Sequence, residues 1–185
     1  MTTKSSFLIR RLKPADAEAF SALRREVLAD NAVPMGLSMT EELARPLQGF
    51  RDQLGYPEPN AAFGAFVGDA LVGSSAIAWP SKLASSRHKA NLWGVFTSPR
   101  YRRQGISRAL VQHTVAHGRA NGLLRINLTV YVPNPEATKL YATLGFVQTG
   151  LEPQSICLDG NYYDGEYWSL SLPAHNDASG AITKT

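Results

Sequence analysis

The sequence predicts a single α/β (α+β) domain with a mixed central sheet of six to seven strands and flanking helices. The length of 185 residues suits one domain with a sizeable core and is short for two. A composition of 44% hydrophobic and 18% charged residues is that of an ordinary globular chain. In the centre of the chain, β-type runs alternate with helical patterns, which is typical of a mixed sheet.

The N-terminal third predicts one strand and two helices. Residues 7–11 form a short β-prone run. Pro14 suits a first helical turn, and apolar residues follow at helical spacing to about residue 30. Prolines and glycines interrupt residues 31–60, where we expect one helix over 40–54. This variable segment is a candidate for lining a binding site.

The rest of the chain predicts the body of the sheet. Apolar runs and alternating patterns predict strands over 61–67, 70–79, 91–97, 123–132, 146–152 and 163–172. Gly68 and Asp69 form a tight hairpin turn between the first two of these strands. Helices are expected over 105–121 and 135–144, because Gly122 and Gly145 suit their C-terminal ends. We expect one domain over residues 1–172, followed by a flexible tail over 173–185, which is polar and lacks periodicity.

The net charge of +4 is unevenly distributed. No acidic residue lies between Asp69 and Glu136, whereas nine basic residues do, and the flanks carry an excess of acid. The nine are Lys82, Arg87, Lys89, Arg100, Arg102, Arg103, Arg108, Arg119 and Arg125. This basic window predicts a polyanionic ligand, which could be a nucleic acid, a phosphate compound or a lipid.

Several classes of protein are disfavoured by the composition. The single cysteine, Cys157, cannot form an internal disulfide or a cysteine-based zinc site. The four histidines lack the spacing of a metal site, so no metal is expected. The apolar run over 7–9 is too short for a signal peptide or a membrane span. We therefore expect a cytoplasmic protein that does not bind a membrane.

The most informative segment is residues 95–108, which reads as a strand, a glycine-containing turn and a helix N-terminus. Unpaired N–H groups at a helix N-terminus bind phosphate, and Gly105 allows a close backbone approach. Arg102, Arg103 and Arg108 add positive charge. The patterns GxxxxGK[ST] and GxGxxG are both absent, so this is neither a P-loop nor a dinucleotide fingerprint.

The stretch Arg102-Arg103-Gln104-Gly105-Ile106-Ser107 resembles the Q/R-x-x-G-x-G/A signature of the GNAT superfamily of N-acetyltransferases. Ser107 departs from the usual glycine or alanine. The stretch from Asn134 to Phe146 resembles the family element N-x-x-A-x-x-L-Y-x-x-L-G-F, in the expected order and at the usual distance. The resemblance covers about residues 61–172.

The resemblance implies an acetyl-CoA-dependent N-acetyltransferase that acts on a primary amine by direct attack in a ternary complex. The implied cofactor-binding residues are Val95, Phe96, Thr97, Arg102, Arg103, Gln104, Gly105, Ile106, Ser107 and Asn134. Tyr141 is the implied acid that protonates the leaving thiolate. We expect Cys157 to be a small buried residue rather than a covalent relay. Dimers are frequent in this family, so a homodimer is expected as well.

The general base is left open by the sequence. Some family members carry a glutamate five residues before the conserved asparagine, where this chain has Thr129. His88 is our candidate because an imidazole has a pKa of ~6.5 and this residue precedes the cofactor strand. The other candidates are Glu26, Glu41, Glu42, Asp164, Glu166 or a water chain. The acidic flanks favour a cationic small molecule or a peptide amine as the acceptor.

Two other functions compete with the enzyme. The first is a catalytically silent CoA-binding regulatory domain, against which the presence of Tyr141 argues. The second is a basic nucleic-acid-binding module. The arginines cluster at one turn, and Trp79, Trp93 and Tyr101 form no basic and aromatic stripe, so no nucleic-acid partner is expected.

Overall fold

The computed structural model describes residues 6–80 and 83–173. It shows one seven-stranded mixed sheet with the strand order β1-β2-β3-β4-β5-β7-β6. The strands are β1 (Leu8–Arg11), β2 (Ala61–Val67), β3 (Ala70–Ala78), β4 (Lys89–Thr97), β5 (Arg125–Val132), β6 (Val147–Leu158) and β7 (Asn161–Ser171). The α-helices are α1 (Ala17–Asp30), α2 (Met39–Ala44), α3 (Leu47–Leu54), α4 (Ile106–Ala120) and α5 (Pro135–Thr143). The predicted single α/β domain is confirmed.

Helices cover both faces of the sheet. On one face α4 buries Ile106, Leu110 and Val111 against residues of the central strands. On the other face Phe20 of α1 and Phe50 of α3 are almost fully buried, and their rings meet edge to face with centroids 6.2 Å apart. The sheet is therefore buried on both sides at its centre, as a mixed α/β sheet requires.

Two elements differ from the prediction. The helix expected over 40–54 is two short helices, because Pro46 adopts an extended conformation at the start of α3 and so ends α2 before it. The last hairpin is longer than expected, since β6 extends to Leu158. Its turn at Asp159 and Gly160 has φ values of 50° and 78°, which suit a tight two-residue hairpin.

The predicted tail falls almost entirely outside the described residues, which end at residue 173. Within 6–80 and 83–173, no helix is long and apolar enough to cross a membrane. The same ranges hold no group of three or more His, Cys, Asp or Glu residues that could hold a metal ion.

Candidate active site

The site begins where two central strands separate. β4 and β5 pair in parallel only from Lys89/Arg125 to Asn91/Asn127. Beyond that point, β4 has an irregular register against β3, and Gly94 adopts a φ of 62° within it. The Ser74 hydroxyl donates a 2.9 Å hydrogen bond to the Gly94 carbonyl and holds this bulge in place. The divergence opens a space between the strands.

Two cavities of about 760 Å³ each lie along this opening. The first, here the loop cavity, lies between the end of β4, the loop before α4 and helix α5. The second, here the strand cavity, lies between β4, β5 and β7 and is covered by residues of the α1–α3 region. They share four lining residues, which are Pro34, Val95, Phe96 and Tyr141. A ligand in one cavity would therefore meet a ligand in the other at Tyr141.

The loop cavity is built on the N-terminus of α4. Gly105 precedes the helix with a φ of +85°, a left-handed conformation that favours glycine, and a Cβ built there would point into open space. The first backbone bond of the helix runs from the Ala109 N–H to the Gly105 carbonyl at 3.0 Å. The N–H groups before Ala109 therefore have no intrahelical acceptor, and they form an anion-binding end.

Side chains fix this loop to the strand before it. The hydroxyls of Thr97 and Ser107 are 2.7 Å apart, so the serine that departs from the family signature joins the end of β4 to the first turn of α4. A glycine or alanine at this position could not make that contact.

The loop cavity is positive, but its arginines are not all free. Its lining includes Arg102, Arg103, Arg108 and Lys139 against the two acids Asp30 and Glu136. The Arg102 guanidinium is 2.7 Å from the Asp30 carboxylate, and that of Arg103 is 3.9 Å from Glu136. Arg108 donates to the Thr143 hydroxyl at 2.7 Å. Four basic groups against two acidic ones leave a net positive lining.

The loop also contains an unpartnered buried polar atom. The Oε1 atom of Gln104 is buried and has no hydrogen-bond partner within the described residues. Gln104 does not itself line the loop cavity. The free N–H groups and the basic lining are donors that fit a phosphate compound such as acetyl-CoA.

Tyr141 lies at the junction of the two cavities. Asn134 caps α5 by accepting a 3.2 Å bond from the Ala137 N–H, and so orients the helix that carries Tyr141. The Tyr141 ring meets that of Phe146 edge to face at 5.5 Å. Only 7% of the tyrosine is exposed, and its hydroxyl has no hydrogen-bond partner within the described residues. Burial raises the pKa of Tyr141 above its ordinary value.

The strand cavity has a polar and aromatic lining. Asn91, Asn127, Thr129 and Thr149 supply polar atoms, and further aromatic lining residues are Trp93, Tyr131, Tyr167 and Trp168. Arg24 and Arg45 contribute the cationic groups. Among its lining residues in the described part of the chain there is no Asp, Glu, His or Lys. Thr129, at the place of the family glutamate, faces this cavity.

The structure does not bring the proposed base, His88, to the site. His88 lies in the exposed turn before β4, and its carbonyl accepts bonds from the N–H groups of Leu124 and Arg125. It lines neither cavity, although Asn91, three residues further along β4, lines the strand cavity. A strand rises ~3.3 Å per residue, so Val95, which lines both cavities, lies roughly 20 Å further along the strand than His88.

The carboxylates that were candidates for the base are engaged elsewhere. Glu26 accepts bonds from Ser98 and Arg100, and Glu42 is paired with Arg24. Glu41 accepts a bond from the Ser38 N–H, and Asp164 accepts one from the Gln154 N–H. Glu166 accepts a bond from the Trp168 indole N–H. None of them lines either cavity.

The expectation that Cys157 is buried is wrong. The structure places this cysteine, as a free thiol, at an exposed position near the end of β6. The prediction ended the strand at residue 152, and so it missed that β6 continues as a sheet edge with one side open to solvent. Cys157 lines neither cavity.

Most of the predicted cofactor residues are brought together. Those that line the loop cavity are Val95, Phe96, Thr97, Arg102, Arg103, Gly105, Ile106, Ser107 and Asn134, with Tyr141 at its inner end. Gln104 lies in the same loop. Sequence reasoning missed Lys139, although it lies inside the second motif, and it missed Asp30 and Arg45. Those two come from the N-terminal third, where the resemblance gave no specific match.

Comparison with known proteins identifies the family. Residues 27–146 match the acetyltransferase (GNAT) family, and the chain belongs to that family. In sequence, it is 36% identical over 58 residues to the [ribosomal protein bS18]-alanine N-acetyltransferase of Escherichia coli strain K12. That match covers 31% of this chain and 39% of the relative, so the chain spans well under half the length of the curated relatives it matches.

Solved structures share the fold over almost the whole chain. An acetyltransferase of the GNAT family from Streptococcus pneumoniae has a TM-score of 0.82 at 22% identity and covers 90% of this chain and 100% of its own. A candidate acetyltransferase from Salmonella typhimurium, solved with its cofactor acetyl-CoA, has a TM-score of 0.77 at 18% identity. It covers 97% of this chain and 100% of its own. At these identities the likeness shows the fold.

Substituting alanine for Gly105 is expected to raise the KM for acetyl-CoA by roughly tenfold or more. The added Cβ would enter the space through which a phosphate approaches the backbone, and it would weaken a charge-assisted hydrogen bond there. Gly122→Ala is the matched control. Gly122 also has a positive φ, +76°, and open space at its Cβ, but it lies at the other end of α4. Both variants should lose similar thermal stability, and steady-state kinetics should separate them. An equal change in KM in both would contradict the assignment of this loop.

Proposed function

We propose that the protein is an N-acetyltransferase that moves an acetyl group from acetyl-CoA to a primary amine by direct attack in a ternary complex. The observation that carries the proposal is the position of the Tyr141 hydroxyl, which lies without a protein partner where the loop cavity meets the strand cavity. Acetyl-CoA would occupy the loop cavity, and the amine would occupy the strand cavity.

The loop cavity supplies the groups that hold the phosphates. The N–H groups at the start of α4 and the net positive lining bind anionic oxygens, and Gly105 lets them approach the backbone closely. Beyond Asn91, β4 has no strand partner on its β5 side within the described residues, so its backbone at Val95 and Phe96 is free to pair with an extended ligand arm. When bound, acetyl-CoA supplies the activated thioester.

The transfer forms one bond and breaks another. The amine nitrogen bonds to the acetyl carbon as the bond from that carbon to sulfur breaks. Backbone N–H groups of β4 next to the bulge can stabilise the negative charge that develops on the carbonyl oxygen. Tyr141 donates its hydroxyl proton to the departing sulfur, and the proton released by the amine can restore it through solvent.

The proton on the amine is removed without a carboxylate or imidazole in this proposal. The strand cavity has none in its described lining, and we assign no role to His88. Water held by the lining asparagines and threonines is the remaining candidate for the base, and it was among those left open by the sequence.

We do not propose a cationic acceptor, although the sequence predicted one. That prediction rested on acidic flanks lining the acceptor site, whereas the flank residues that line the strand cavity include Arg24 and Arg45 and no acid. A small-molecule or peptide amine remains the proposed acceptor class. A homodimer and a cytoplasmic location stay predictions.

Binding of acetyl-CoA should raise the thermal stability of the protein. A ligand at 100 times its dissociation constant adds about 2.7 kcal/mol to the free energy of unfolding. Differential scanning fluorimetry with acetyl-CoA, and with acetate as the control ligand, measures this shift. Release of free CoA thiol in the presence of a panel of primary amines then tests transfer. The proposal fails if acetyl-CoA gives no shift, and a shift without turnover of any amine would favour the silent CoA-binding domain.

A further inference from the structure

Among the described residues, one cation of the strand cavity has no carboxylate partner. The cavity's two basic lining residues are Arg24 and Arg45, and the pKa of Arg45 is lowered mainly by burial and further by the nearby charge of Arg24. The two arginines differ in the groups that accept their hydrogen bonds.

Arg24 is fully compensated by a buried carboxylate. Its Nε lies 2.6 Å from Oε1 of Glu42, and its Nη2 lies 2.7 Å from Oε2 of the same residue. The side chain of Arg24 is 6% exposed and that of Glu42 is 1% exposed. This pair is a bidentate ion pair with no net charge.

Arg45 has only neutral partners. Its Nη2 donates to the Gly49 carbonyl at 2.9 Å and to the Gln53 side-chain oxygen at 2.7 Å. Its guanidinium stacks on the Phe50 ring with the carbon 4.3 Å from the centroid. No carboxylate of the described residues lies within ion-pair distance, and the N–H groups on Nε and Nη1 have no partner there. Contacts from α3 thus hold a half-buried arginine whose remaining donors are free.

A half-buried cation without a counter-charge is costly unless a ligand supplies the counter-charge. The guanidinium fork matches a carboxylate in shape and charge, and charge-assisted bonds of this kind are the strong ones. We propose that the acceptor is an amine that also carries a carboxylate, an amino-acid-class molecule, and that Arg45 binds this carboxylate in the strand cavity. The inference rests on the proposed acetyl transfer.

The same charge helps the amine to react. Pairing with Arg45 cancels the charge of the ligand carboxylate, which would otherwise stabilise the neighbouring ammonium and raise its pKa. The neutral amine is the nucleophile, so Arg45 would favour the reactive form as well as hold the carboxylate. Trp93, Tyr131 and Trp168 offer aromatic faces to the body of the acceptor.

The test compares acceptors that differ only in the carboxylate. Each free amino acid in a panel is paired with its carboxamide and with the amine that lacks the carboxyl group, and CoA thiol release is measured for all three. The wild-type protein should acetylate free acids with the highest kcat/KM. In Arg45→Gln the KM for the acid should rise by about 10- to 100-fold, as expected for the loss of a charge-assisted bond, while the KM for acetyl-CoA stays unchanged.

Two further variants control the comparison. Arg51→Gln alters an exposed arginine of α3, the helix whose residues contact Arg45, and Arg51 lines neither cavity, so this variant should leave all acceptors unaffected. Arg45→Lys keeps the charge but loses the fork, and it should give an intermediate KM for the acid while the Tm shows that the fold is kept.

The inference is overturned if acetyl-CoA binds but no carboxylate-bearing amine is acetylated. It is also overturned if carboxamides and simple amines react as well as the acids, or if Arg45→Gln affects all three classes equally. Absence of both an acetyl-CoA shift and any turnover would instead reject the proposed enzyme, so the two failures are distinguishable.

Discussion

Replacing Tyr141 with phenylalanine is expected to lower kcat by about 10²–10⁴-fold, the usual contribution of a positioned general acid, with little change in the KM for acetyl-CoA. The variant removes one oxygen atom and keeps the ring that packs on Phe146. Since the hydroxyl has no partner within the described residues, its loss should not weaken the fold. Steady-state kinetics of CoA release and a thermal melt measure the two effects.

The pH dependence follows from the direction of the pKa shift. Burial raises the pKa of Tyr141 above the ordinary value of about 10, so the hydroxyl keeps its proton to a higher pH than a free tyrosine does. The wild-type rate should therefore show no alkaline loss from ionisation of Tyr141 below about pH 10. A titration of this group near neutral pH would contradict its assignment as the acid.

Tyr162→Phe is the matched control for this substitution. Tyr162 is 63% exposed near the start of β7 and lines neither cavity, so its hydroxyl should have no effect on rate. If Tyr141→Phe retained more than a tenth of the wild-type kcat, the acid would have to be another group. Equal losses in both variants would indicate a general effect on the protein rather than on proton transfer.

The cofactor side of the site could be predicted from the sequence because it is local. Residues 95–108 form a strand, a loop and a helix start in one continuous stretch, so their proximity follows from chain connectivity. Asn134 likewise caps the helix that begins at the next residue, and Tyr141 follows two turns later. In such segments the spacing along the chain fixes the spacing in space.

The acceptor side could not be predicted in the same way. Arg45 and Trp168 line the same strand cavity although more than 120 residues of chain separate them, and no local periodicity encodes that proximity. The strand cavity, where we propose that the amine binds, has no acid among its described lining residues, so it does not support the predicted acidic acceptor site. Four flank acids pair with the basic loop or with Arg24, namely Glu26, Asp30, Glu42 and Glu136, whereas Arg45 lines the strand cavity. Counting charge along the sequence showed that the flanks carry an excess of acid, but it did not show where in the fold those acids lie.

Substituting glutamine for Glu42 is expected to lower the free energy of unfolding by about 3–5 kcal/mol, the usual cost of leaving one member of a buried ion pair unpaired. Arg24 cannot move readily to solvent, because the rings of Phe20, Phe50 and Phe96 surround its guanidinium at 5.6–5.8 Å. The glutamine keeps the size of the side chain but removes the counter-charge. Urea denaturation measures the loss.

The neighbouring variant Glu41→Gln is the control, because it removes a carboxylate charge from the same helix without breaking the buried Arg24–Glu42 ion pair. Glu41 belongs to the same helix but forms an exposed capping box with Ser38, a motif in which glutamine serves as well. Its replacement should cost little stability.

The double variant Arg24→Met with Glu42→Leu should lose less stability than Glu42→Gln, because removing both charges leaves neither unpaired. If Glu42→Gln lowered the free energy of unfolding no more than Glu41→Gln does, the Arg24–Glu42 ion pair would contribute no stability to the contact between α1 and α2. Arg24 would then be a second cation of the strand cavity, beside Arg45, that has no effective counter-charge.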